Sequence, residues 1–312
     1  MREVYVALPS CPRAKSRHNG QMEISTEQRR AAHSGSVARP ALYVVATPIG
    51  NRGDITDRAV ATLSAVDVIA AEDTRVSGPL VRDLGATARL VSLHEHNEEQ
   101  RVPQVLTWLG EGKAVALISD AGTPLISDPG FVLVRAVRDA GFPVISVPGA
   151  CAAVAALSIS GLPTDQFMFA GFVANKPAAR RSQFDALRDV GATMIFYASK
   201  RQLGDALAAA GEVFGVDRPA VIARELTKLH ETVHSGTLGE LGDAWPTLEP
   251  RGEWVLIIGG RIEHNVAQAE LERIMTALLP RLSVRDAAAT AAEILGVSKR
   301  DAYACGLTLK ET

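Results

Sequence analysis

The chain has 312 residues, 47% of them hydrophobic, and a formal net charge of -2. That length is enough for two domains with sizeable cores, and no apolar run reaches the length of a membrane span. The near-neutral charge does not mark a general nucleic-acid binder, although a local basic face would be sufficient for one. Three scattered cysteines, Cys11, Cys151 and Cys305, form no C-x-x-C or Cys/His cluster. Neither a disulfide framework nor a structural zinc site is expected, and a reducing cytoplasm suits the chain.

Residues 1–40 carry seven Arg and Lys against three Glu, a net of +4, with no sustained apolar period and no signal-peptide core. They read as a mostly disordered basic extension, a solvated tail before an RNA-touching arm, with Met22 as an internal candidate start. From residue 41 short apolar runs alternate with helical periods. Strands are expected at 41–46, 67–71, 89–93, 114–118 and 143–147. Thr56 can cap the first helix, in which Ala59, Val60, Leu63 and Val66 share a face. This rhythm implies an α/β fold with a parallel N-terminal sheet covered by helices on both faces.

Gly161-Leu162-Pro163-Thr164 marks a boundary, giving an N-terminal α/β domain at 41–162 and a second α/β domain at 163–262. In the second, strands are expected at 167–172, 193–197, 220–224, 231–235 and 254–258, with helices near 177–190 and 203–214. The last strands follow one another so closely that part of this sheet must be antiparallel, making it mixed. Residues 263–312 form a helical C-terminal segment. Leu271, Ile274, Leu278 and Leu279 share a face, Ser283 caps a second helix, and Gly296-Val297-Ser298 turns into a third. The outline resembles a helix-turn-helix. Its charges balance, so a packing or dimer-stabilising bundle and an RNA-docking module both stay open.

The strand at 114–118 runs into S-D-A-G-T-P-L-I-S-D-P-G, and a helical pattern begins at Phe131. In an open parallel sheet, ligands sit in loops of this kind, beyond the carboxyl ends of strands. Gly122 and Gly130 permit positive φ, Pro124 and Pro129 stiffen the backbone, and Asp120 and Asp128 offer acceptors. Ordinary turn chemistry would account for one such loop. Two more, T-P-I-G-N after the first strand and P-G-A-C-A after the fifth, favour a binding role. No G-x-G-x-x-G and no G-x-x-x-x-G-K-[ST] occurs, which argues against a dinucleotide oxidoreductase and a P-loop NTPase; G-x-S-x-G is missing too. His94 and His96 alternate after a strand and so face opposite sides, and no metal is expected. Pro/Gly/Asp loops without a phosphate cradle suit a ligand bearing an adenosine and an amino acid. S-adenosyl-L-methionine is that ligand, and because its methyl leaves by in-line displacement, positioning carries most of the catalysis.

Taken together, A-T-P-I-G-N-R-G-D-I-T, A-A-E-D-T-R, H-E-H-N-E, S-D-A-G-T-P-L-I-S-D-P-G, P-G-A-C-A, S-G-L-P-T-D, R-E-L-T-K and R-G-E resemble one family in order. It is the bacterial 16S rRNA (cytidine-2'-O)-methyltransferases, within the tetrapyrrole methylase superfamily. The likeness covers roughly residues 42–260. It implies a cytoplasmic two-domain methyltransferase, acting as a homodimer, with the cofactor between domains and 16S rRNA or the small ribosomal subunit as substrate. By motif, the cofactor residues are Pro48, Gly50, Asp120, Gly122, Thr123, Asp128, Pro148, Gly149, Ala150 and Cys151, with Met168 and Ala223 from the second domain. The chain departs from the family at Cys151, commonly Ser. It departs again at Tyr197-Ala198-Ser199-Lys200-Arg201-Gln202, where the family commonly has Y-E-S-P-H-R.

A ribose hydroxyl is a poor nucleophile at neutral pH and needs a proton acceptor. Candidates are Glu72, Asp73, His94, His96 and Glu225, with Glu72 and Glu225 first because each closes a strand facing the expected cleft. Asp73 with Arg75 can equally be a structural pair, and the histidines can cap the next helix. Phosphate contacts are expected from Arg52, Arg75, Lys176, Arg180, Arg181, Lys200, Arg201 and Lys228, with Phe172 and Tyr197 in the core. Rival readings are a tetrapyrrole or protein methyltransferase of the same fold, and a non-catalytic rRNA-binding assembly factor.

Overall fold

The computed structural model describes residues 37–249, 251–261 and 266–311. Most of the basic extension read at 1–40 therefore lies outside the described residues. The first sheet contains β1 (Ala41–Val45), β2 (Val68–Ala71), β3 (Arg89–Ser92), β4 (Ala114–Ile118) and β5 (Val144–Val147), in the order β3-β2-β4-β1-β5. The β1–β4 and β2–β3 ladders are parallel. β2 and β4 are buried along their whole length, which is why each reads as a continuous apolar run and not an alternation.

The helices α1 (Asp57–Ala65), α2 (Thr74–Asp83), α3 (Glu98–Gly110) and α4 (Phe131–Asp139) alternate with these strands. Thr56 caps as expected: its hydroxyl accepts the Ala59 N–H at 3.1 Å. α4 starts after Gly130, which has no side chain to cap with. The buried Glu98 of α3 takes that role, accepting the Leu133 N–H at 2.8 Å.

The second sheet contains β6 (Phe167–Phe172), β7 (Thr193–Ser199), β8 (Pro219–Arg224), β9 (Thr232–Thr237) and β10 (Glu253–Ile258), in the order β6-β7-β10-β8-β9. β6 and β7 are parallel, while β10 is antiparallel to β7 and β8, and β9 to β8. The sheet is mixed, as the close spacing of the later strands requires. α5 (Ala152–Ser160) lays Ala153, Ala156 and Leu157 on one face, against Ile195, Val221, Val255 and Ile257. The other face packs Phe196, Trp254 and Leu256 against α6 (Pro177–Asp185), α7 (Leu203–Phe214) and α8 (Leu238–Ala244). Each fully buried Leu, Ile or Phe here contributes about 1.5–3 kcal/mol.

The C-terminal helices are α9 (Val266–Leu278), α10 (Val284–Leu295) and α11 (Lys299–Glu311). Ser283 caps α10 through the Asp286 N–H at 3.2 Å. Ala287, Ala288 and Ala291 let its neighbours approach closely, around Leu271, Met275 and Cys305.

Two compact units interleave along the chain. Of the described residues, one unit holds 37–44, Val60–Leu117 and Pro129–Val147; the other holds Val45–Ala59, Ile118–Asp128 and those from Pro148 onward. The loops that leave β1, β4 and β5 therefore belong to the second unit. Phe172 is a correction to the sequence reading. It is 58% exposed, not in the core. β6 is an edge strand whose register with β7 slips between Phe169 and Phe172, and the irregularity turns the last side chain outward.

Candidate functional site

The loops following β1, β4 and β5 are laced together, largely through backbone. Thr47 and Gly122 form an isolated antiparallel bridge, exchanging both N–H···O bonds at 2.8 and 3.1 Å. The Thr123 hydroxyl donates to the Ala150 carbonyl at 2.9 Å, and the Thr47 hydroxyl to the Ser119 carbonyl at 3.3 Å. This brings Pro48 and Gly50 together with Asp120, Gly122 and Thr123, and with Pro148, Gly149, Ala150 and Cys151. Gly122 has φ +80°, and a Cβ there would stand 3.2 Å from Ile49 Cγ2 and 3.6 Å from the Ala150 carbonyl. Only glycine allows the three strands of backbone to close on one another in this way. Ile49 and Cys151 then anchor the loops to the apolar cluster under α5.

Backbone strain marks the same region. Among the described residues, four non-glycine residues have positive φ: Leu125 at 73° and Ser127 at 68° in the loop after β4, and Glu225 at 49° and Thr227 at 66° in the turn after β8. Such residues cost about 1–3 kcal/mol each and gather at ligand clamps and active sites.

The turn after β8 reaches the loop after β1. The Thr227 hydroxyl accepts the Asn51 N–H at 3.1 Å. The Lys228 stem lies over Gly50, where a Cβ would fall 2.4 Å from Lys228 Cγ. The Lys228 ammonium bridges Glu225 at 3.0 Å and Glu253 at 2.9 Å, and Glu225 also accepts the Glu253 N–H at 3.0 Å. Burial by itself would push the Glu225 carboxyl up. The Glu253 N–H and the Lys228 ammonium outweigh it and hold the carboxyl below its ordinary range. Lys228 shifts upward against its own burial for the matching reason. Lys228, expected as a phosphate contact, has both of these acid partners within the protein.

Cys151 precedes α5, and the Tyr197 phenol oxygen accepts the Ala153 N–H at 3.2 Å in the first turn of that helix. Burial first, then the neighbouring Cys151 thiol and Asp128 carboxylate, push this phenol well above its ordinary value. Asp128 is thus near enough for its charge to act on the Tyr197 phenol. The sheet separates the two remaining cofactor candidates: Ala223 belongs to the cluster under α5, while Met168 packs against the cluster on the opposite face.

Glu72, Asp73, Arg75, His94 and His96 belong to the first unit. Glu72 is half-buried immediately after β2. Asp73 caps α2 through the Arg75 N–H at 2.8 Å and grips the Arg75 guanidinium at 2.6 Å. That pairing holds the Asp73 carboxyl down at about 2, so the structural-pair reading describes its geometry. The His94 N–H is accepted by the Asn97 side chain at 2.9 Å, and its buried Nδ1 has no hydrogen-bond partner among the described residues. The His94 and His96 rings meet edge-on at 6.1 Å, so they do not face opposite sides as expected; the chain has left β3 for a turn, where strand alternation no longer applies.

Of the other cations weighed for phosphate, Arg180 is buried against the Ala174 and Asn175 carbonyls, and Arg181 pairs with Glu212 at 2.8 Å. Thr47, Thr227 and Glu253 are the positions that sequence reasoning missed. All three lie inside the motif blocks A-T-P-I-G-N, R-E-L-T-K and R-G-E, which is the only signal the sequence carried for them.

The loops offer backbone edges, two carboxylates and small apolar walls, and the stretches 119–128 and 148–151 contain no Lys or Arg. A nucleoside joined to an amino acid fits this donor and acceptor set; a polyphosphate does not. The family of Tetrapyrrole (Corrin/Porphyrin) Methylases matches residues 41–242, and the RsmI C-terminal HTH domain matches residues 265–310. Ribosomal RNA small subunit methyltransferase I of Escherichia coli O157:H7 is 47% identical, over 84% of this chain and 93% of its own length. The chain belongs to the ribosomal RNA small subunit methyltransferase I family of tetrapyrrole methylases.

Further members of the family are similar along the same span. The namesake in Mesorhizobium japonicum is 44% identical over 88% of this chain and 93% of its own length. Among solved structures, uroporphyrin-III-C-methyltransferase from Thermus thermophilus superposes with a TM-score of 0.51 at 25% identity, over 71% of this chain and 94% of that one. Cobalt precorrin-4 methyltransferase superposes with a TM-score of 0.52 at 19% identity, over 70% and 94%, a likeness of fold. The C-terminal match answers to α9, α10 and α11 and to the helix-turn-helix outline read from the sequence.

Proposed function

We propose that the protein methylates the ribose 2'-oxygen of a cytidine in the decoding region of 16S rRNA, with S-adenosyl-L-methionine as methyl donor. The observation that carries the reading is the laced set of loops after β1, β4 and β5, strained at Leu125 and Ser127, in a chain 47% identical to a ribosomal RNA small subunit methyltransferase I. When bound, the cofactor supplies an electrophilic methyl group. Pro48, Gly50, Gly122, Thr123, Ala150 and Cys151 would hold it through backbone edges, with Asp120 and Asp128 as acceptors for its hydroxyls and amine.

The chain's own contribution is orientation and proton management. Glu72 and Glu225 are the candidates for accepting the ribose proton. A carboxylate held below its ordinary range accepts a proton less readily, so Glu225 suits the fixing of Lys228 and the strained turn, which leaves Glu72 as the candidate of the two for the ribose proton. Tyr197 stays neutral and tethers the start of α5. The protein acts in the cytoplasm as a homodimer on the small ribosomal subunit or its rRNA. Among the described residues no helix is long and apolar enough to cross a membrane.

The test is transfer of labelled methyl to small subunits isolated from cells lacking this protein, followed by mapping of ribose methylation. Label on one decoding-region cytidine 2'-oxygen, lost in Glu72→Gln with cofactor binding retained, is expected. Absence of label with cofactor bound would overturn the substrate assignment, and full activity in Glu72→Gln would overturn the proton acceptor.

A further inference from the structure

We infer that the loops following β6 and β7 form a docking platform for single-stranded RNA, in which Lys176, Lys200 and Arg201 meet phosphates and Phe172 stacks on a base. The inference rests on the rRNA reading above and adds where the strand is gripped. The side chains of Lys176, Lys200 and Arg201 are exposed and form no ion pair or hydrogen bond among the described residues. That sets them apart from Arg75, Arg181 and Lys228, whose charges are met by acids of the protein.

The loops that present them are fastened from beneath. Buried Gln202 donates to the Val173 carbonyl at 3.1 Å and to the Asn175 side chain, and accepts the Ser199 N–H at 3.0 Å and hydroxyl at 2.7 Å. Buried Arg180 donates to the Ala174 and Asn175 carbonyls, both at 3.2 Å. Gln183 accepts the Ala174 N–H at 3.0 Å and donates to the Phe172 carbonyl at 3.0 Å. Three side chains thus fix the chain from 172 to 175, just before Lys176, and tie it to the loop at 199–202. Cations on a fixed backbone bind without first ordering it. The one acid in this network is Asp205, 3.3 Å from Arg180.

Phe172 supplies the second element. Its ring is 58% exposed and stands edge-on to Tyr197 at 5.4 Å, so it is held in place with a face open. An open aromatic face beside unpaired cations is how single strands are held: phosphates track the charge while unstacked bases lie on the ring. A duplex would leave the ring without a base to stack. The segment Tyr197-Ala198-Ser199-Lys200-Arg201-Gln202 also carries two positive charges and no acid. The platform is a local basic face on a chain whose net charge is -2.

The experiment compares the full-length protein with Lys176→Ala/Lys200→Ala/Arg201→Ala and with Phe172→Leu. The probes are a labelled cytidine-rich single-stranded oligoribonucleotide, the same sequence as a duplex, and small subunits as methyl acceptor. Three lost phosphate contacts should make the plot of log affinity against log salt shallower by about 2, at about 0.7 per contact on a single strand. The KM for subunits should rise about tenfold or more, with kcat and the cofactor Kd within about twofold. Phe172→Leu should weaken the single strand about tenfold and leave the salt slope unchanged. Restoring charge as Lys176→Arg/Lys200→Arg/Arg201→Lys should restore the slope. Wild-type slope and KM in the triple variant, while the wild type methylates subunits, would overturn the platform and leave the rRNA reading standing. Equal losses on duplex and single strand would overturn the stacking role. An altered salt slope in a protein that methylates no subunit would keep the platform and sink the rRNA reading instead.

Discussion

Gly50→Ala tests whether the turn after β8 clamps the cofactor loop. Gly50 is outside the positive-φ glycines, so an alanine there meets no backbone objection of its own and gains about 0.4–1 kcal/mol from a less free unfolded chain. The objection is local. The new Cβ would lie 2.4 Å from Lys228 Cγ and 2.8 Å from Cε. Because Cγ is near the root of the side chain, relief requires rotating the whole stem and withdrawing the ammonium from Glu225 and Glu253. The Glu225 pair, with side chains 20% and 29% exposed, is worth about 1–2 kcal/mol. The Glu253 pair, on a carboxylate 81% exposed, is worth less than about 1 kcal/mol. Net destabilisation of about 1 kcal/mol is expected, together with a roughly tenfold loss of cofactor affinity, or about 1.4 kcal/mol, as the loop carrying Asn51 loosens.

The double variant decides the matter. Lys228→Ala removes the three atoms nearest to the added methyl, so in that background Gly50→Ala should show only its gain of about 0.4–1 kcal/mol. A double-mutant cycle read by urea unfolding should give a coupling of about 1.5–2 kcal/mol, and titration calorimetry with the cofactor should show the affinity loss confined to the Lys228 background. If the two changes add within about 0.3–0.5 kcal/mol, Lys228 is not what Gly50 makes room for and the clamp does not exist.

Three further outcomes are expected. Gly122→Ala, forced to hold φ +80° with Ile49 Cγ2 at 3.2 Å, should lose about 1–2 kcal/mol of stability and most cofactor binding; wild-type affinity by calorimetry would refute the cradle. Glu225 has a folded pKa below its ordinary 4.5, so its contribution is complete above that value and fades as pH falls through the folded pKa. The stability gap between wild type and Glu225→Gln should therefore close as the pH is lowered below the ordinary 4.5, and a gap that widens would contradict the pairing with Lys228. Glu98→Ala strips the buried cap from the Leu133 N–H and should cost about 1–3 kcal/mol in chemical unfolding, whereas a loss below about 0.5 kcal/mol would mean that α4 is satisfied by other means.

The strands were legible because β2 and β4 are buried along their length and announce it as uninterrupted apolar runs. The caps at Thr56 and Ser283 were legible because a hydroxyl before an amphipathic period has one local use. The loops after β1, β4 and β5 could be read as a binding set, yet not as one laced object. The bridge between Thr47 and Gly122 joins residues far apart in the chain, and no local pattern encodes the pairing. Lys228 illustrates the same limit. Its charge suggested phosphate, but its fate was set by Glu253, twenty-five residues on, brought alongside by the β8–β10 ladder. Phe172 failed for a different reason: alternation along 167–172 assigns it a face, and a register slip at the strand's end reassigns it.

The strain at Leu125, Ser127, Glu225 and Thr227 carries the argument for function further than the motifs do. A turn that only joins β4 to α4, or β8 to β9, has no need of left-handed non-glycine residues, since glycine holds the same φ at no steric cost. Holding them takes tertiary bonds that over-determine the backbone, and those bonds are present: the Thr47–Gly122 exchange and the Thr123–Ala150 bond on one side, the Glu225–Glu253 and Thr227–Asn51 bonds on the other. Both strained segments are thus tied to the loop carrying Pro48 and Gly50, one directly and one through Asn51. A fold that places its strained residues on either side of one loop, and bonds each to it, has fixed the position of that loop more tightly than chain connection requires. For methyl transfer, where placing the donor against the acceptor supplies most of the rate, a loop so fixed is suited to holding the donor, the role proposed for it above.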